Sequence, residues 1–302
     1  MTSTFSRAIA VRACRLLWAT SMVVTLFTPL TTPAKAQDKE ADNPRITEET
    51  PFVRSPTVVV DTMLKMAGVR ATDFLIDLGS GDGRIVITAA KEYGARGFGV
   101  DYDPRLIAIA TENARKEGVS DRIKFIQQDL FKTELGSATV ISMYLLEEYN
   151  MALRLRLFAL KPGTRIVSHD WHLGDWEADA KTKISVPDKP VGLEKASWIF
   201  LWVVPAKIGG VWHSRIPSEK GWVDAELRFD QQFQKISGEA TIGGQKLPID
   251  RASLSGEFVS FRIQHGKQTV LFNGQVQSGR IVGQVMLSGG RTLRWRALRS
   301  QS

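Results

Sequence analysis

The sequence predicts an α/β protein: a doubly wound, seven-stranded sheet over residues 51–206, followed by a small antiparallel β domain over residues 207–302. Two observations predict it. From Pro51 onward, short apolar runs alternate with helical stretches, and repeated strand–helix–strand order yields a parallel sheet with helices on both faces. After Pro205 no helical period is left, and glycine and Asn-Gly turns divide short runs, as in hairpin-connected strands.

The elements follow in order. Asp73 to Asp77 is the first strand, an apolar run closed by an acid, with Gly79, Gly81 and Gly83 directly behind it. Arg84 to Tyr93 reads as a helix stopped by Gly94. Gly97 to Asp101 is the second strand. Asp103-Pro104 then opens a helix, with Asp103 as N-cap and Pro104 at the first helical position. That helix sets Leu106, Ile107 and Ala110 on one face and stops at Gly118. Ile123 to Asp129 is the third strand and Ala138 to Leu146 the fourth. A helix from Glu147 to Leu160 ends at Lys161-Pro162-Gly163, and Thr164 to His169 is the fifth strand. Lys181–Val186 and Ser197–Val204 have no helix between them, which predicts a terminal pair with one strand antiparallel to the rest. In the last domain, runs at 223–229, 235–242, 256–264, 269–276, 280–287 and 292–298 predict a small barrel or sandwich.

Residues 1–36 read as a targeting segment. Arg7, Arg12 and Arg15 precede an uncharged, largely apolar stretch, and Ala34-Lys35-Ala36 supplies a small-x-small cleavage pattern before Gln37. The expectation is export to the periplasm after cleavage; the alternative is an anchor, since about nineteen uncharged residues just suffice to span a bilayer. The basic side precedes the stretch, so both versions place residues 37–302 beyond the membrane. Residues 37–50 are a polar linker. The single cysteine, Cys14, excludes an internal disulfide framework, and the leader's removal takes the thiol with it. The His169/His172 pair has no further ligands at useful spacing, so no metal site is expected. The leader carries four basic residues and no acidic one, so the net charge falls from +8 to +4 without it. Residues 207–302 carry +7 and residues 37–206 carry −3. A basic β domain suggests an anionic or membrane-associated partner, and no specific nucleic-acid motif is present.

The glycine turn carries the chemistry. Glycines there tolerate positive φ and let the backbone approach a ligand, and the N–H groups of the following helix favour anionic groups. A dinucleotide fingerprint spaces its glycines G-x-G-x-x-G. Here they fall at Gly79, Gly81 and Gly83, with Arg84 where the third glycine would permit close helix–strand packing. An acid just before the turn, Asp77, is atypical of a nicotinamide site. Asp101 is placed to take ribose hydroxyls, and Asp129 falls where an adenine edge would lie. Three strands ending in acids at one edge of an open parallel sheet mark a ligand crevice. A nicotinamide-dependent reductase and a non-catalytic cofactor-binding protein stay open as alternatives.

Asp77-Leu-Gly-Ser-Gly-Asp-Gly-Arg84, Val100-Asp101-Tyr-Asp-Pro104 and Gln128-Asp129-Leu-Phe131 resemble class I S-adenosylmethionine-dependent methyltransferases with their Rossmann-like fold. With Pro51-Phe-Val-Arg-Ser-Pro56 and Leu160-Lys-Pro-Gly-Thr-Arg-Ile-Val-Ser-His-Asp170, the chain is similar to the small protein-lysine methyltransferases that act on the mitochondrial ATP-synthase c-subunit and adenine nucleotide translocase. The resemblance covers residues 50–205 and implies that Asp77, Gly79, Ser80, Gly81, Gly83, Asp101 and Asp129 bind S-adenosylmethionine. It implies a protein lysine as acceptor; the β domain has no counterpart in those enzymes. Methyl transfer is an in-line displacement that depends on near-attack geometry and a neutral amine. Tyr144 is then expected to line the acceptor channel, Glu147 to orient or deprotonate the amine, and His169 to serve as a base. Trp171 and Trp176 are expected to pack or form a lid.

Overall fold

The computed structural model describes residues 52–218 and 221–300. The leader, its cleavage point and the linker lie outside them.

The first sheet is built as the residues dictate. α1 (Thr57–Met66) precedes β1 (Phe74–Leu78), and α2 (Arg84–Tyr93), β2 (Arg96–Asp101), α3 (Pro104–Lys116) and β3 (Ile123–Gln127) follow. β4 (Val140–Met143), α4 (Glu147–Phe158), β5 (Arg165–His169), β6 (Ala180–Ser185) and β7 (Ala196–Val203) complete it. The strand order is β3-β2-β1-β4-β5-β7-β6. β1 to β5 run parallel, and β7 lies antiparallel to β5 and to β6. The terminal pair is therefore as expected, with β7 as the reversed strand. The order switches direction between β1 and β4, so the crevice opens beyond the carboxyl ends of the central strands.

Helix ends obey local chemistry. Asp103 caps α3 by accepting the Arg105 N–H, with Pro104 at the first position. Gly94 ends α2 in the left-handed conformation. Both faces of the sheet are buried. Val59, Met63 and Leu64 of α1 and Val86 and Ala90 of α2 cover one face; Leu153 and Leu157 of α4 cover the other with Trp176 and Trp202.

The second unit is a closed barrel of eight strands: β8 (Gly210–Ser218), β9 (Gly221–Gln232), β10 (Lys235–Ile242), β11 (Gln245–Ser255), β12 (Phe258–His265), β13 (Gln268–Gln277), β14 (Arg280–Leu287) and β15 (Thr292–Arg299). Each pairs antiparallel with its chain neighbour, and β15 returns to β8 through Ala297, Leu298 and Arg299. Closure removes the exposed edges that an open sheet would present. The interior is filled by side chains, among them Trp212, Phe229, Phe261, Phe272 and Trp295. β8 and β11 exceed the six expected runs. Each contains a proline, Pro217 or Pro248, which speaks against a strand on sequence grounds. β11 is also bulged between Asp250 and Ser253, which breaks its alternation.

The barrel meets the sheet at the amino ends of the parallel strands. Ala206 donates to the Gly256 carbonyl at 2.7 Å, and Gly256 packs against Gly163, just ahead of β5. The β9–β10 turn inserts Phe233, at φ +55°, stacked on Trp176 at 5.6 Å and edge-on to Phe158 at 5.2 Å. Gln231 fixes the connection: its Oε1 accepts from the Ile208 and Gly209 N–H groups, and its Nε2 donates to the Ala206 and Phe233 carbonyls.

Candidate active site

At the opposite, carboxyl edge lies a cavity of about 590 Å³, and all its lining residues fall between Phe52 and Tyr149. The turn after β1 folds back onto β2, where the Gly79 and Ser80 N–H groups both donate to the Val100 carbonyl. Asp101 then ties the loops together. Its Oδ2 accepts the Gly81 N–H at 2.8 Å and its Oδ1 the Asp103 N–H at 3.0 Å. Gly81 sits at φ +54°, and a Cβ there would stand 2.2 Å from the Phe52 ring. Only glycine meets both demands. Arg84, which sequence alone sets against close packing, turns aside to chelate Asp82 and donates to the Ser55 carbonyl.

Asp77 lines the same cavity and is 1% exposed. β1 pairs Asp77 with Ser142 of β4, whose hydroxyl donates to it at 2.7 Å. Burial pushes the carboxyl up to about 7; the Ser142 hydrogen bond opposes this, and the Asp101 and Asp82 charges add to it. The Ser80 hydroxyl, also on the cavity, is buried without a hydrogen-bond partner among the described residues.

Five other expected residues are placed as follows. Tyr144 lines the cavity and stacks on His169 at 3.8 Å. Burial and the Asp170 charge push its hydroxyl up to about 12. His169 lies behind it, 1% exposed, with Nδ1 3.0 Å from the Ser55 hydroxyl and Nε2 2.9 Å from that of Ser197. Desolvation holds its imidazole down at about 4, outweighing Asp170, with Lys189 adding to the depression. Glu147 begins α4 in the open, 3.6 Å from the His172 ring, and does not line the cavity. Asp129 does not line it either. β3 stops at Gln127, two residues short of the expected end, and Asp129 caps the 3₁₀ turn Leu130–Lys132 through the Phe131 N–H. Its neighbour Gln128 lines the cavity instead. Gly83 sits just behind the lining, in the left-handed conformation ahead of α2. Sequence reasoning passed over Ser142, yet a serine inside a fully buried strand needs a partner, and that was its signal.

A model described as the ANTKMT methyltransferase domain matches residues 77–180. A protein-lysine N-methyltransferase from Saccharolobus islandicus is 39% identical over 136 residues, covering 44% of this chain and 84% of that protein. The chain belongs to the class I S-adenosylmethionine-dependent methyltransferases. The ATP-synthase c-subunit lysine N-methyltransferase of Rattus norvegicus is 32% identical over 133 residues, 44% of this chain and 61% of that one. The crystal structure of an RNA methyltransferase from Salinibacter ruber with S-adenosyl-L-homocysteine is 46% identical and covers 52% of this chain and 96% of that one, at a TM-score of 0.46. The methyltransferase's cofactor is S-adenosylmethionine. The cavity's residues fit it: a buried hydroxyl without a partner among the described residues, a glycine turn and the carboxyl groups of Asp77 and Asp101 offer the polar and acidic groups that a cation with ribose hydroxyls needs.

Proposed function

We propose that this methyltransferase modifies lysine side chains of a protein substrate. The observation that carries the reading is the 39% identity to a protein-lysine N-methyltransferase over 84% of that protein's length. The chemistry agrees with it. The cavity bearing Tyr144 also carries Phe52, Leu145 and Tyr149, and burial against these uncharged side chains disfavours the charged form of an entering amine. Bound S-adenosylmethionine supplies an electrophilic methyl group on a sulfonium.

The chain's own residues position and exclude. Asp101 takes ribose hydroxyls, its two oxygens already oriented by the Gly81 and Asp103 N–H groups. Ser80, Gly79 and Gln128 complete the cradle, with Gly81 and Gly83 shaping the turn behind it. Asp77 faces the cationic end. Tyr144, kept protonated, lines the path of the amine, and His169 holds Tyr144 in place as a neutral ring clamped by two serines. Glu147, outside the cavity, would act on the amine only during its approach.

Asp77 makes the reading pH-dependent. Its carboxylate attracts the ammonium and sulfonium groups, and its neutral form does not. Affinity for S-adenosylmethionine should fall as pH drops through about 7, by up to about tenfold per unit below it. Calorimetry across pH 5.5–8.5 should show this slope flattened in Asp77→Asn; an unchanged slope would assign the titration elsewhere.

The acceptor is tested by incubating the enzyme and labelled S-adenosylmethionine with cell fractions, then mapping label by mass spectrometry. Label on protein lysine is expected. Label in RNA or lipid, with none in protein, overturns the lysine reading.

The proposal extends to place and partner. The Arg7, Arg12 and Arg15 leader and the Ala34-Lys35-Ala36 pattern support export, either released or held by an uncleaved leader. An alkaline phosphatase fusion after Gln37 should be active, and a reporter active only in the cytoplasm would reverse the assignment. The +7 charge of residues 207–302 supports an anionic or membrane-associated partner for the barrel.

A further inference from the structure

The barrel's excess charge is confined to half of it. Residues 207–257 hold seven basic and seven acidic residues, whereas residues 258–302 hold seven basic residues and no acidic one. The second stretch is the four consecutive strands β12 to β15, so one side of the cylinder carries no carboxylate on any strand.

The same side exposes large apolar side chains. Phe258 is 68% exposed, Leu298 52%, Val282 44% and Met286 42%. All four point outward, alternating with the buried Val259, Ala297, Ile281 and Val285. Cross-strand register sets them beside arginines. Phe258, Gln275, Val282 and Arg296 form one row across β12, β13, β14 and β15. The next row is Ser260, Asn273, Gln284 and Arg294, and on the other side Arg280 faces Leu298. With strands about 4.8 Å apart, each full row spans roughly 15 Å. Arg280, Arg294 and Arg296 make no ion pair among the described residues. On the other half, Arg228, Lys235 and Lys246 pair with Glu226, Glu177 and Glu239.

We propose that the β12–β15 face docks on an anionic phospholipid bilayer, with Phe258, Val282, Met286 and Leu298 entering the interface while Arg280, Arg294 and Arg296 meet headgroup phosphates. The proposal rests on the reading that the barrel meets an anionic partner, and it names the surface and the chemistry. A soluble polyanion would use the arginines but leave the apolar tips in water. A bilayer interface takes both, because it places an apolar layer directly beneath a layer of negative charge. The face sits on the unit that binds the amino edge of the catalytic sheet, so the cofactor cavity at the carboxyl edge stays clear of it.

The test is co-sedimentation of the chain from Gln37 onward, which contains all the described residues. The vesicles are equimolar phosphatidylglycerol and phosphatidylcholine, against phosphatidylcholine alone, in ~0.1 M NaCl. Binding to the anionic vesicles is expected, weakened about tenfold or more in Arg294→Glu/Arg296→Glu and by added salt. Phe258→Ser/Val282→Ser should weaken it independently, and Lys246→Glu, on the other half, should not. Circular dichroism confirms each variant's fold, with Arg294→Gln/Arg296→Gln as the milder pair. Equal binding by wild type and both arginine pairs overturns the face but leaves an anionic partner standing. No binding to anionic vesicles, with or without binding to RNA or heparin, overturns the bilayer; loss of all three removes the anionic-partner reading too.

Discussion

Replacing Asp101 with alanine is expected to weaken binding of S-adenosylmethionine about a hundredfold or more. The carboxylate both organises the glycine turn and lines the cavity, since it already receives the Gly81 and Asp103 N–H groups. Each hydrogen bond to a charged group contributes about 1.5–3 kcal/mol, and two to ribose hydroxyls would give roughly 3 kcal/mol or more. Calorimetry measures the loss directly. Asp129→Ala is the matched control. That side chain caps a 3₁₀ turn outside the cavity, so the expected cost is about 1 kcal/mol of stability and little affinity. Equal losses in the two variants would put Asp129 back in the site.

Trp176→Ala is expected to destabilise the protein by about 3–5 kcal/mol, a large share of the roughly 5–15 kcal/mol that holds a domain folded. Trp176 is fully buried and meets Phe158 at 5.3 Å, Phe233 at 5.6 Å and Trp202 at 6.4 Å. Its carbonyl also accepts the Trp202 indole N–H. Phe233 comes from the barrel, so the cavity left by the indole opens the seam between the two folds. Loss of that seam should separate one unfolding transition into two, because the barrel has its own core. Denaturant unfolding followed by circular dichroism reads both effects. A variant as stable as the parent would mean that the seam contributes nothing. Trp171, 36% exposed, stands outside this cluster.

The parts of this molecule that were legible in its sequence are those set by local chemistry. An apolar run, an acid and a glycine turn place β1, the turn and Asp77 at the crevice before any contact is known, and Asp103-Pro104 announces the start of α3. What escaped depends on neighbours distant in the chain. β8 and β11 carry prolines that a closed barrel tolerates, since Pro217 has a register partner on β9 and none on β15, and Pro248 has one on β10 and none on β12. Asp129 was expected on the cavity because its strand seemed two residues longer. Ser142 acquires meaning only through its register with Asp77. His169 looked like a base at a strand end, and its neutrality follows from burial against Tyr144 and two serines on other elements. The even charge count across residues 207–257 likewise hid how sharply the barrel divides.

The most direct test of the central claim is a titration of the purified protein with S-adenosylhomocysteine and, separately, with a nicotinamide dinucleotide. The site predicts saturable, one-to-one binding of S-adenosylhomocysteine that Asp101→Ala weakens about a hundredfold or more, and no heat from the dinucleotide. Binding of the dinucleotide with none of S-adenosylhomocysteine would contradict it.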